Sequence, residues 1–245
     1  MKKTFNHEKN DKHGQILRAA IKTFARKGFY NTRISDIAKE ANVADGTIYL
    51  YFKNKDTLLV SLFEESMDQI IRMVKERLSR ISDPIEQLCA FIKMHFELIK
   101  KDKFLAEVIS VELRQSNKFI KEYKNIKFKE YLNIISGILR DAQGKGLVAR
   151  HLMPGILKRI VFGALDELTL IWVLAGDSKY TIEKLSKDAT EVLISGIALK
   201  NKPIGGNSED SGNCKEGKRS RGKVKNKTGR VVDTNGGGKI RRKSV

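Results

Sequence analysis

A chain of 245 residues, 40% of them hydrophobic, is long enough to bury a sizeable core, and the two cysteines, Cys89 and Cys214, stand far apart with no CxxC or His spacing, so no disulfide framework or zinc site is suggested. No run of 18 apolar residues suggests a membrane span, and the charged start MKKTFNHEKNDKHGQ has no apolar stretch behind it, so no secretory signal is expected and a cytoplasmic protein is. The formal net charge of +19 points to a polyanionic partner. That charge sits at the two ends: 12 Lys/Arg against 5 Asp/Glu in residues 1–55, 23 against 20 in 56–200, and 13 against 4 in 201–245.

In chain order the pattern is helix after helix, an all-α fold with no sustained apolar/polar alternation. In KHGQILRAAIKTFARKG, Ile16, Ala20 and Phe24 recur every fourth residue, and Gly28 stops the helix. SDIAKEAN predicts a short second helix capped by Ser35 and stopped at Asn42, and GTIYLYF a third. A long helix follows over about 55–80, with Leu58, Leu59, Leu62, Phe63, Met67, Ile70, Ile71, Val74 and Leu78 inward. Asp83 followed by Pro84 is a strong helix start. Further helices are predicted over about 104–114 and 119–143, with Cys89 expected to be a buried thiol.

From Pro154 to Leu174 the sequence is apolar on nearly every side, and the last helix carries Ile182, Leu185, Ala189, Val192, Leu193 and Gly196 along one stripe. A helix that is apolar all round must be covered all round. The last two helices paired with their twofold copies would make a homodimer interface; the plainer alternative is one fully buried central helix. After Lys200 the composition shifts to 9 of the 19 glycines, no aromatic residue and clusters such as KRSRGKVKNK. A segment of this kind buries too little apolar surface to offset ordering, so 201–245 is expected to be a disordered basic tail, either a nucleic-acid tether or a solvated appendage. The expected organisation is therefore 1–55, 56–200 and 201–245.

The segment NVADGTIYLYFKNK sharpens the functional reading. Ile48 and Phe52, four apart, would face the core, while Thr47 and Tyr51 form a neighbouring stripe and Asp45 and Tyr49 another. Hydroxyls on a short exposed helix suit phosphate oxygens, which need donors, and Lys53 and Lys55 add salt-dependent attraction. Three short helices with a tight turn before the third fit a helix-turn-helix. Packed tyrosines would explain Ile48 and Phe52 but not the cluster around them.

GFYNTRISDIAKEANVADGTIYLYFKNKDTLL, residues 28–59, resembles the DNA-binding domain of the TetR family of transcriptional repressors, through Gly28, Phe29, Thr32, DIA at 36–38, Val43, GTIY at 46–49, Phe52, Lys55, Leu58 and Leu59. The resemblance implies phosphate and groove contacts from Thr32, Arg33, Thr47, Tyr49, Tyr51 and Lys55, with Asp45, Gly46 and Thr47 where bases are read. Asn42 stands where the family has Gly, and Asn tolerates the left-handed turn. Ala44 stands where Ser would cap, so Asp45 is expected to cap the helix, with cytosine recognition as the other reading. ELRQSNK at 112–118, YLNIISGIL at 131–139 and FGALDELTLIWV at 162–173 further resemble acyl-CoA-responsive regulators of fatty-acid degradation in Gram-positive bacteria. That implies a long-chain acyl-CoA effector, with no cofactor and no metal.

An acyl chain needs an apolar channel and a coenzyme A head needs cations at its mouth. Phe91, Phe96, Phe104, Phe128, Leu132, Phe162 and Trp172 are the candidate walls, with His95 among them. Arg114, Lys118, Lys121 and Lys124 are the candidate phosphate partners. Core packing for each aromatic, and a solvated face for the cations, are the plainer readings. No GxSxG, HExxH, CxxC or phosphate-loop motif appears, and Asp166–Glu167 suits a dimer interface as well as a catalytic pair, so no enzyme is expected. The alternative to a regulator is a non-catalytic acyl-CoA or lipid carrier with nonspecific nucleic-acid or membrane affinity.

Overall fold

Local signals decide where each helix begins and ends in the computed structural model, which describes residues 2–113, 126–175 and 180–199. All of these lie in one compact unit, Met1–Asn201. The tail from Lys202 onward lies outside the described residues, as does the 114–125 segment. Among the described residues the secondary structure is helical, with one isolated antiparallel bridge between Val148 and Ala198.

Helix α1 spans Lys2–Lys27. It starts ten residues before the expected Lys12, because the polar run ahead of His13 contains no Pro or Gly to stop it. Gly28 ends it at φ +77, and its amide donates to the Phe24 carbonyl at 2.8 Å. Helix α2 covers Ile34–Glu40, and its cap is Arg33 rather than Ser35. Asp36 decides this: its Oδ2 accepts from the Arg33 amide at 2.9 Å, so the helix starts two residues early. Lys27 Nζ donates to Asp36 Oδ1 at 2.7 Å, and this lysine chiefly holds the Asp36 carboxyl below its ordinary range.

Asn42 takes φ 51, the left-handed turn that the sequence demanded. Helix α3 (Asp45–Tyr49) follows, then α4 (Lys55–Leu78). A reciprocal cap starts α4: Asn54 Oδ1 accepts from the Thr57 amide at 2.8 Å, and Thr57 Oγ1 accepts from the Asn54 amide at 3.0 Å. Leu58, Leu59, Leu62 and Phe63 are buried along α4, and each stabilises the fold by about 1.5–3 kcal/mol. Helix α5 (Pro84–Lys101) starts where Asp83 accepts from the Glu86 amide at 2.8 Å.

After α6 (Lys103–Glu107) the chain widens into one π turn, Val108–Glu112, in place of the continuous α-helix expected to Arg114. Among the described residues, helices α7 (Ile126–Gly144), α8 (Pro154–Leu174) and α9 (Ile182–Ile197) follow. Helix α5 packs against α9 and α7, and α7 against α8 and α4. Along α8, Leu157, Val161, Leu165, Thr169 and Val173 are buried at every fourth position, whereas Ile156 and Ile160 are more than half exposed. This excludes the fully buried central helix within one chain. Val192 also turns outward from α9, at 69% exposure, rather than joining the inner stripe. Cys89 is half-buried rather than fully buried, and its thiol is pushed up chiefly by burial.

Candidate DNA-reading surface and ligand pocket

The reading surface is built on Ile48 and Phe52, which anchor α3 and the turn after it in the core at 0% and 4% exposure. The remaining positions are turned outward by that anchoring. Asp45, Gly46 and Tyr49 are exposed, as is Arg33 at the start of α2. A Cβ added to Gly46 would meet nothing within 4 Å, so the protein's own packing does not require the glycine; an incoming partner would feel its absence of a side chain. Ala44 is the N-cap and no side-chain hydrogen bond closes it, so Asp45 is the first helical residue and not the cap. Thr47 is half-buried. Tyr51 is too, its ring centroid 5.9 Å from that of His13. Leu50 and Tyr30, which the sequence did not single out, are exposed at 78% and 58%. Leu50's position off the Ile48/Phe52 stripe was the available signal.

Two predicted phosphate contacts have other work. The Thr32 side chain is buried, and its hydroxyl donates to the Gly28 carbonyl at 2.7 Å. Lys55 Nζ donates to the carbonyls of Phe29 at 2.6 Å, Thr32 at 2.8 Å and Tyr30 at 3.1 Å, and lies 4.6 Å from the centre of the Phe29 ring. An ammonium has three N–H donors, and here each has a carbonyl partner. Desolvation lowers the Lys55 pKa from the ordinary lysine value. Both residues hold the α1–α2 loop in shape rather than offering side chains to phosphate.

A pocket of about 630 Å³, including its open mouth, lies between α4, α5, α6 with its π turn, α7 and α8. Met67 and Ile70, Leu98 and Ile99, Leu105, Ala106 and Ile109 supply apolar walls. Of the expected residues, His95, Phe128 and Phe162 line it, the two phenylalanine rings edge-on at 5.0 Å. Phe91 does not: it is fully buried, its ring 5.1 Å from that of Tyr131. Nor does Phe104, which is 39% exposed beneath the Arg26 guanidinium, because the turn of α6 directs Leu105 and Ala106 inward instead. Phe96 and Leu132 are buried away from it, and Trp172 lies under Lys103 Nζ at 5.3 Å. Arg114, Lys118, Lys121 and Lys124 fall outside the described residues.

Helical spacing could have found the missed walls: His95 with Leu98 and Ile99, and Phe162 with Asp166 and Thr169, share faces. His95 is the polar centre of the pocket. Its Nδ1 is 3.1 Å from Tyr131 Oη and its Nε2 3.1 Å from Thr169 Oγ1. The Thr169 hydroxyl donates to the Leu165 carbonyl at 2.7 Å, so its oxygen accepts from His95 Nε2–H. Nδ1 then accepts from Tyr131. Burial lowers the His95 pKa to about 4, and the ring is neutral at pH 7. Burial pushes the Tyr131 phenol up in the same way.

Residues 16–62 match the family model "Bacterial regulatory proteins, tetR family", and residues 63–196 match "YsiA-like protein, C-terminal region". The chain is 41% identical over 190 residues to the fatty acid metabolism regulator protein of Bacillus subtilis (strain 168), covering 78% of this chain and 97% of that one. The crystal structure of the transcriptional regulator FadR from Bacillus subtilis in complex with stearoyl-CoA superposes with a TM-score of 0.70 at 42% identity, over 75% of this chain and 98% of that one. The fatty acid degradation regulator FadR from Bacillus halodurans does so with a TM-score of 0.71 at 37% identity, over 76% and 95%. The two family models, together spanning residues 16–196, and the similarity over about three quarters of the chain place it: it belongs to the TetR family of bacterial transcriptional regulators, among the fatty acid metabolism regulators.

Proposed function

We propose that this protein is a dimeric repressor that binds a palindromic DNA operator, is released from it by long-chain acyl-CoA, and thereby regulates fatty-acid degradation. The observation that carries the reading is the course of α4, which starts at Lys55 in the clamp on the reader and lines the pocket at Met67 and Ile70. One rigid helix thus touches both sites. The apolar pocket suits an acyl chain, and the relative crystallised with stearoyl-CoA supports that ligand class. Residues 1–55 act as the reader and 56–200 as the ligand and dimer unit, with the basic 201–245 segment adding nonspecific attraction to DNA. Arg33 and Tyr49 contact phosphates, and Asp45, Gly46 and Thr47 read bases. The protein performs no catalysis and works in the cytoplasm on the nucleoid.

A symmetric dimer places two readers about 34–36 Å apart, one turn of B-DNA. Effector and DNA favour different spacings, and the coupling between them is reciprocal, about 1–3 kcal/mol or roughly 5–150-fold. The test is a fluorescence-anisotropy titration of the full chain on a palindrome selected from a random duplex pool, with stearoyl-CoA or free coenzyme A added. Selective binding released by stearoyl-CoA alone is the expected result. Ligand binding with no enriched sequence would replace the repressor with a carrier.

A further inference from the structure

The clamp on the 28–32 loop has two jaws, and only one belongs to α4. The Phe29 carbonyl accepts from Lys55, while the Phe29 amide donates to Glu112 Oε2 at 2.5 Å. Glu112 is 5% exposed at the end of the π turn, 83 residues away in sequence. Taking a carboxylate out of water is costly unless hydrogen bonds compensate, and an apolar side chain would serve packing alone. Its oxygens also lie 3.6 and 3.9 Å from where a Cβ on Gly28 would sit, so the carboxylate fits against the bare glycine that ends α1.

The other side of the same turn faces the ligand pocket, through Ile109 and Ser110. The turn is closed by the Leu113 amide reaching the Val108 carbonyl, a five-residue step. A π turn holds one residue more than an α turn, and tightening it to α geometry moves the residue at its end around the helix. Pocket wall and reader latch are therefore two faces of one short segment that has two available windings.

We propose that Glu112 is a positioning residue for the DNA-reading surface, and that pressure on Ile109 and Ser110 from a ligand in the pocket rewinds the π turn and withdraws Glu112 from the Phe29 amide. This rests on the reading that an acyl chain fills the pocket. It supplies a route from ligand to reader that does not run through α4, and both routes end on one residue, Phe29, held by its carbonyl on one side and its amide on the other.

The full chain is titrated with operator and stearoyl-CoA as wild type, Glu112→Gln and Glu112→Ala, and exchange of the Phe29 amide is followed by NMR on protein labelled with 15N-phenylalanine. Gln keeps an acceptor for the amide, so Glu112→Gln should respond to stearoyl-CoA within about twofold of wild type. Glu112→Ala should bind stearoyl-CoA as wild type does, yet the effect of stearoyl-CoA on its operator affinity should fall severalfold, the remainder passing through α4. Saturating stearoyl-CoA should speed Phe29 exchange in the wild type by about tenfold or more. An undiminished response in Glu112→Ala, or unchanged Phe29 exchange while stearoyl-CoA still releases wild type from DNA, overturns the Glu112 route and leaves the repressor reading standing. If Glu112→Ala does not fold, the wild-type exchange decides. A wild type that binds stearoyl-CoA and keeps its operator affinity overturns both.

Discussion

His95 sets the terms at the scale of a single residue. Its two ring nitrogens are bonded to Tyr131 and Thr169, and the Thr169 hydroxyl is committed to the Leu165 carbonyl, so one neutral tautomer is selected. The folded pKa of about 4 lies below the ordinary 6.5, so between these values the unfolded chain binds the proton and the folded one does not. Stability from this residue is complete above about pH 6.5 and is lost as pH falls to about 4, by about 3 kcal/mol in all. Urea unfolding at pH 7 and pH 4 should show a smaller loss for His95→Gln than for wild type by roughly that amount. Equal losses would mean that the imidazole titrates freely in the folded protein.

Between elements, the loop joining α1 to α2 depends on groups that reach it from elsewhere in the chain. Lys55, at the first position of α4, satisfies three of its carbonyls. Lys55→Met keeps the stem and removes the donors. Because the site is half exposed, water replaces part of what is lost, and the expected destabilisation is about 1–2 kcal/mol by urea unfolding. Operator affinity should fall alike for every sequence, since the whole reader loses its support. Lys53→Met is the control: Lys53 is exposed, so stability should hold while the salt dependence of operator binding falls by about one unit of slope. Equal stability of the two variants would remove the clamp from the account.

For the molecule as a whole, α8 and α9 present an apolar face that one chain leaves uncovered. Ile156, Ile160, Ile171 and Leu174 are exposed at 55%, 54%, 45% and 61%, and Val192 at 69%. A stable partner surface buries about 800 Å² on each side, and patches of this kind mark interfaces. Ile160→Glu places a charge in the middle of the stripe. Sedimentation velocity should find this variant monomeric and still folded, with operator affinity lost because the two half-sites are no longer read together. A variant that stays dimeric would move the interface elsewhere.

Much of this was already decided by local sequence. Asp83–Pro84 starts α5, Gly28 and Asn42 take their left-handed turns, and Ile48 with Phe52 fix which side of α3 is free. Caps, turns and four-residue spacing act over a few residues, and that is the range a sequence displays. Tertiary structure alone decided that Thr32 and Lys55 brace a loop, that Leu105 rather than Phe104 meets the pocket, and that Glu112 reaches the reader. The Lys55 and Glu112 bonds join residues 26 and 83 positions apart. A polar side chain shows in the sequence that it needs a partner, but the packing of distant helices determines which partner it finds.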